Sequence, residues 1–94
     1  MVKHIVMYTL RPDCNKTIAV ETIREALENL VGLVPGLLKM EIRATVGGEF
    51  DYVLYSEFKD EAALEAYKTN PDHLAVKPTV HKYIKERKAA DYIL

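Results

Sequence analysis

An α+β fold with the element order β-α-β-β-α-β is predicted by three features of this 94-residue chain. Residues 2–10, 37–46 and 50–58 alternate in polarity with period two, as half-buried strands do. Apolar side chains recur at helical spacing from Val20 to Val34 and again at Ala63, Leu64 and Tyr67. A two-glycine turn, Gly47-Gly48, joins the second and third alternating runs as a hairpin. This order is the split βαβ pattern of ferredoxin-like folds: a four-stranded antiparallel sheet with its helices on one face.

Each element has its own signal. In the first strand, Val2, His4, Val6, Tyr8 and Leu10 share one face, and Lys3, Ile5, Met7 and Thr9 share the other. Asn15 or Thr17 caps the first helix through a side-chain oxygen. That helix runs on through Val20, Ile23, Leu27, Leu30, Val31 and Val34, and Pro35-Gly36 ends it. The second strand sets Leu38, Met40, Ile42, Ala44 and Val46 on one side. The third sets Phe50, Tyr52, Leu54, Ser56 and Phe58 together, opposite Asp51, Val53, Tyr55 and Glu57. Asp60 caps the next helix, Asn70-Pro71 breaks it, and a short helical piece follows that Pro78 restarts. Residues 89–94 read as the last strand.

Length and composition bound the function. A chain of 94 residues is expected to be one domain, 1–94, and to bury only about 60–65% of its unfolded surface, so a partner subunit would help it. With 49% hydrophobic and 29% charged residues it is globular. Thirteen basic against 14 acidic residues leave a net charge of −1, which gives no electrostatic reason to bind nucleic acid or an anionic membrane. The basic run Lys82, Lys85, Arg87, Lys88 is interrupted by Glu86 and reads as a solvated face. Cys14 is alone in a polar loop, so neither an intrachain disulfide nor a cysteine zinc site is expected. No apolar run suits a bilayer span and no leader pattern opens the chain, so a cytoplasmic location is expected.

The sheet should be apolar on both sides. Val6 and Tyr8 oppose Ile5 and Met7 in the first strand, and Leu54 and Phe58 oppose Val53 and Tyr55 in the third. Helices can cover one side only. The other would leave an apolar patch larger than monomers usually expose, so a second copy is expected on it as a symmetric homodimer.

Five segments in order now carry a resemblance. They are Val2-Lys3-His4-Ile5-Val6, Val34-Pro35-Gly36, Phe58 with the capped helix to Tyr67, Asn70-Pro71-Asp72-His73, and Ala90-Asp91-Tyr92. Together they resemble the stress-responsive dimeric α/β-barrel domains, over nearly the whole chain. The resemblance implies a dimer in which two sheets face each other as a barrel, and a fold similar to antibiotic-biosynthesis monooxygenases. It also implies three candidate positions, because one plant member, a polyketide cyclase, closes a ring by an intramolecular aldol reaction without a cofactor. His73 matches its catalytic histidine, His4 its first-strand histidine, and Tyr67 the tyrosine closing its second helix. The likeness stops at that enzyme's substrate pocket: its first-helix aromatics fall at Thr22 to Leu27 here, and a third-strand histidine falls at Tyr52.

The residues themselves permit proton chemistry. An imidazole at His73, near a helix N-terminus, is disfavoured as a cation and can accept a proton at neutral pH. His4 could orient it or a substrate oxygen, and Tyr67 could donate to a developing oxyanion. Each also has a plain structural use, as a capping, core or packing residue. Val6, Tyr8, Tyr52 and Leu54 are the expected pocket wall. The spacing of His4, His73 and His81 matches no metal-binding motif, and no glycine-rich loop opens a helix, so no metal, nucleotide, flavin or other cofactor is expected. Three readings stand: an uncharacterised stress-responsive barrel protein with a pocket for a small hydrophobic or aromatic ligand, a cofactor-independent cyclase, lyase or monooxygenase-like enzyme with His73 as general base, and a non-catalytic stress-related oligomer.

Overall fold

The computed structural model describes residues 1–94. The elements are β1 (Val2–Leu10), α1 (Lys16–Glu28), β2 (Leu37–Ala44), β3 (Tyr52–Phe58), α2 (Glu61–Thr69), α3 (Pro71–His81) and β4 (Ile84–Ile93). The strands form one antiparallel sheet in the order β2-β3-β1-β4, as a ferredoxin-like fold requires. Val2, Val6, Tyr8, Ile42, Leu54 and Phe58 from one face of the sheet join Ile23, Leu27, Leu64, Tyr67 and Val80 of the helices in a single core. The helices therefore cover one side.

Local chemistry explains most boundaries. Asn15 caps α1 by accepting from the Ile18 amide at 3.0 Å, and Asp60 caps α2 by accepting from Ala63 at 2.8 Å. Asn70 ends α2 and begins α3: its amide donates to the Tyr67 carbonyl, and its side chain accepts from the Asp72 amide at 2.8 Å. Pro71 takes the first position of α3, where no amide hydrogen is needed.

The structure departs from the periodic reading in several places, and the second and third strands are shorter than read, Leu37–Ala44 and Tyr52–Phe58. Helix α1 stops at Glu28, and the chain from Asn29 to Val34 makes tight turns with Gly32 at φ 93°. Leu30 and Val34 stay buried from those turns, while Val31 faces out. In β2, the pair Leu37-Leu38 opposes the single residue Phe58, a bulge that shifts the register. Leu37 therefore joins Met40 and Ile42 inside, and Leu38 is exposed, as is Val46 beyond the strand. Pro78 does not restart a helix but lies within α3. The Leu74 carbonyl it leaves without a helical partner is on an exposed stretch, where solvent can satisfy it. Strand β4 begins five residues earlier than residue 89, so Ile84, Glu86, Arg87 and Lys88 pair with β1 along the sheet edge, and Lys85 falls in a bulge between them.

The uncovered face carries Ile5, Met7, Val53 and Tyr55, with Ala90 and Tyr92 beside Ile5 and Lys3 in register. Met7 and Tyr92 are exposed, and Ile5, Val53 and Tyr55 half-buried. Lys3 bonds Glu57 at 2.6 Å, and the Tyr55 hydroxyl donates to the same carboxylate at 2.6 Å. No helix of the protein is long and apolar enough to cross a membrane.

Candidate functional site

A cavity of about 290 Å³ opens between the inner face of the sheet and the helices. Its floor is His4 and Tyr8 of β1, Leu54 of β3 and Arg87 of β4. Its walls are Leu27 of α1, Leu64, Tyr67 and Lys68 of α2, and His73, Lys77, Val80 and His81 of α3. All three candidate residues, His4, Tyr67 and His73, line this one space, although they come from positions up to 69 residues apart in the sequence.

Two of the four expected wall residues do line it, Tyr8 and Leu54. Val6 and Tyr52 do not: both are fully buried beneath the lining, with no accessible surface. Tyr52 instead stacks on Tyr8, with ring centroids 4.6 Å apart. Its hydroxyl is buried without a hydrogen-bond partner, and burial raises its pKa far above the ordinary phenol value. An orphan buried hydroxyl costs about 1–3 kcal/mol. Tyr52→Phe is therefore expected to stabilise the protein by about 1 kcal/mol, read as a higher denaturation midpoint. A loss of stability would mean that the hydroxyl has a partner after all.

The geometry around His73 sets its tautomer. The last carbonyls of a helix lack helical partners, and that of Tyr67, near the end of α2, lies 2.9 Å from His73 Nδ1. A carbonyl can only accept, so Nδ1 carries the hydrogen and Nε2 holds the free lone pair in the neutral ring. Burial lowers the His73 pKa below its usual 6.5. The Tyr67 carbonyl partly opposes this, while the positive charge of Lys77 adds to it. Neutrality was expected from a helix N-terminus, but desolvation is the larger cause. The Tyr67 ring stacks on His73 at 3.9 Å between centroids, nearly parallel, and its other neighbour is Phe58 at 5.1 Å. Burial raises the Tyr67 pKa, so its hydroxyl stays a proton donor at neutral pH.

His4 is built into the sheet. Its Nδ1 bonds the carboxylate of Asp91, its register partner on β4. Asp91 can only accept when ionised, so Nδ1 donates and Nε2 is again the free nitrogen. Its ring meets Phe58 edge-on at 6.3 Å.

The sequence reading passed over Leu27, Leu64, Lys68, Lys77, Val80, His81 and Arg87 as lining residues. For Lys77 and His81 a signal exists: they lie four and eight residues after His73, on one helical face. For Arg87 none does, because its place depends on β4 pairing it with Tyr8. There its charge draws the Tyr8 pKa down, against the larger upward push of burial. His81 is exposed at the rim, and partial burial with the charges of Lys77 and Arg87 lowers its pKa. The cysteine is used locally, with Cys14 Sγ donating to the Arg11 carbonyl at 3.0 Å.

Known structures share this architecture. A dimeric protein of unknown function with a ferredoxin-like fold, from Bacteroides fragilis NCTC 9343, is 30% identical, with a TM-score of 0.87 over 99% of this chain and 95% of that one. A dimeric ferredoxin-like protein of unknown function from Thermobifida fusca YX is 24% identical, with a TM-score of 0.85 over 99% and 90%. A hydroxynitrile lyase from Passiflora edulis is 17% identical, with a TM-score of 0.85 over 99% and 92%. No curated protein matches the chain. The profile of the stress responsive A/B barrel domain, Dabb, matches residues 2–94. With the strand order and this match over all but the first residue, the chain belongs to the stress-responsive α/β-barrel domain family.

Proposed function

We propose that residues 1–94 act as one stress-responsive barrel domain that works as a homodimer on a small carbonyl compound, with His73 as general base. One observation carries this reading. The neutral His73 ring is held by its Nδ1 hydrogen on the Tyr67 carbonyl, which leaves a basic Nε2 in a ring that lines a cavity. Nε2 takes a proton from the carbon next to a carbonyl. The electron pair of that C–H bond passes to the carbonyl oxygen as an enolate, and the Tyr67 hydroxyl donates a hydrogen bond to it. The His73 imidazolium then returns a proton to carbon, or the enolate carbon attacks a second carbonyl as in an aldol closure and the imidazolium protonates the alkoxide that forms. A catalytic use of the architecture agrees with one protein of this fold being a hydroxynitrile lyase. The chemistry uses only side chains of the cavity and asks for no cofactor.

The test is deuterium uptake next to the ketone of methyl 4-oxo-4-phenylbutanoate in D2O, followed by proton NMR. Exchange above the buffer rate that His73→Ala abolishes supports the base. Exchange equal in the two proteins overturns it.

The dimer rests on Ile5, Met7, Val53, Tyr55 and Tyr92 on the face without helices, and on relatives described as dimeric. Wild-type protein is expected to sediment as a dimer at micromolar concentration. Met7→Lys, which places a charge in that face, is expected to yield monomer, because an unpaired buried charge is costly. A monomeric wild type contradicts the arrangement.

A further inference from the structure

The charged residues of the cavity lining are Lys68, Lys77 and Arg87, all cationic, and no carboxylate lies among them. The chain as a whole carries a net charge of −1, so this is local segregation and not a reflection of composition. Lys68 is held by Glu65 at 3.2 Å. Lys77 and Arg87 take part in none of the ion pairs of the protein. They flank the imidazoles from two sides. Lys77 follows His73 by one turn of α3, and Arg87 faces inward from β4, opposite Tyr8. Asp91, the register partner of His4 on β4, is already engaged by that histidine.

Two unpaired cations in one concave site attract a counter-ion, and in a half-enclosed space their fields are screened less than on an open surface. Arg87 offers the planar fork that suits a carboxylate, and Lys77 a mobile point charge. The apolar part of the lining, with Leu27, Leu54, Leu64 and Val80, takes the hydrocarbon portion of the same molecule. We infer that the ligand is a keto acid: a carboxylate held by Arg87 and Lys77, with its ketone placed toward Tyr67 and His73. This rests on the cavity and the base proposed above and narrows the substrate to an anionic class. The same cations would stabilise the enolate that proton removal creates, since its charge appears within the same positive field.

Binding of 4-oxo-4-phenylbutanoate is compared with that of its methyl ester by calorimetry or NMR titration. The pair shares ring and ketone and differs in charge. The acid is expected to bind at least about tenfold more tightly than the ester, as one charge-assisted hydrogen bond allows. That preference is expected to fall several-fold with added salt. Arg87→Gln should remove most of the preference, Lys77→Gln part of it, and Arg87→Lys should restore some. Far-ultraviolet circular dichroism establishes that each variant is folded. Arg87 and Lys77 are both exposed at the surface of their elements, so two independent variants guard against loss of one. Equal binding of acid and ester, or a preference untouched in both glutamine variants, overturns the inference. Equal binding with His73-dependent exchange leaves the base proposal intact, whereas acid selectivity with exchange indifferent to His73→Ala defeats only the base. If neither compound binds at millimolar concentration, both proposals fall.

Discussion

Changing His73 to alanine is expected to lower the rate of proton exchange next to the ketone by roughly 10²–10⁴-fold, the usual contribution of a positioned general base. The loss follows from geometry. The Tyr67 carbonyl occupies Nδ1, so the ring has one basic atom, and alanine removes it. His73→Gln separates chemistry from packing, because it retains bulk and a hydrogen-bond donor but cannot serve as a base at neutral pH. Both variants should remain folded. His73→Ala loses one hydrogen bond and one ring stack, about 1–3 kcal/mol together, and His73→Gln loses the stack alone. A variant that keeps its rate would remove His73 from the chemistry.

The pH dependence has a definite sign. Burial lowers the His73 pKa from 6.5, so the ring stays neutral and basic across the physiological range. The rate should hold as pH falls to about 6.5 and decline only below it. An inflection above that value is inconsistent with this histidine as the base. The same shift touches stability. The unfolded chain protonates His73 at its ordinary pKa, the folded chain at a lower one. The unfolded state therefore binds more protons as pH falls through that window, and the protein loses stability there, with no contribution from this group above it.

Gly36→Ala is expected to produce the largest loss of stability. Gly36 has φ 82°, in the left-handed region, and a Cβ built on it would lie 2.5 Å from the Cβ of Ala63 on α2. Its carbonyl accepts from the Lys59 amide at 2.9 Å, which joins the start of β2 to the approach of α2. The backbone there has no room to move without breaking that contact. A left-handed alanine costs roughly 1–2 kcal/mol, and overpacking adds about 1–3 kcal/mol. The sum is about 2–5 kcal/mol, enough to lower the Tm by roughly 10–25 °C in a domain of this size. Gly36→Ala combined with Ala63→Gly removes the clash and keeps the strain, so it should recover part of the loss. Gly47→Ala, with no atom within 4 Å of its Cβ and no positive φ, should change stability little. Equal midpoints for Gly36→Ala and Gly47→Ala would contradict this account of the turn.

The strands and caps were legible because their signals are local. Alternation in residues 2–10 needs only the pleat to become β1, and Asn15, Asp60 and Asn70 cap helices through atoms two or three residues away. The bulge at Leu37-Leu38 was not legible, since both residues are leucine and only pairing with Phe58 decides which one turns inward. Nor was the first half of β4. Lys85-Glu86-Arg87-Lys88 has no apolar period, and it is a strand because β1 offers an unpaired edge to its backbone.

The candidate site divides along the same line. The sequence by itself determined that a strand histidine, a helix tyrosine and a histidine just after the Asn70-Pro71 break exist on a βαββαβ chain, because residue type and short-range spacing set secondary structure. It also determined that one sheet face would remain apolar without a partner. Tertiary structure alone decided that His4, Tyr67 and His73 share one cavity, that Val6 and Tyr52 lie beneath it, and that Arg87 belongs to its floor. Those placements follow from strand register and from how three helices pack on the sheet. Such contacts join residues far apart in the chain, and no local pattern of side chains encodes them.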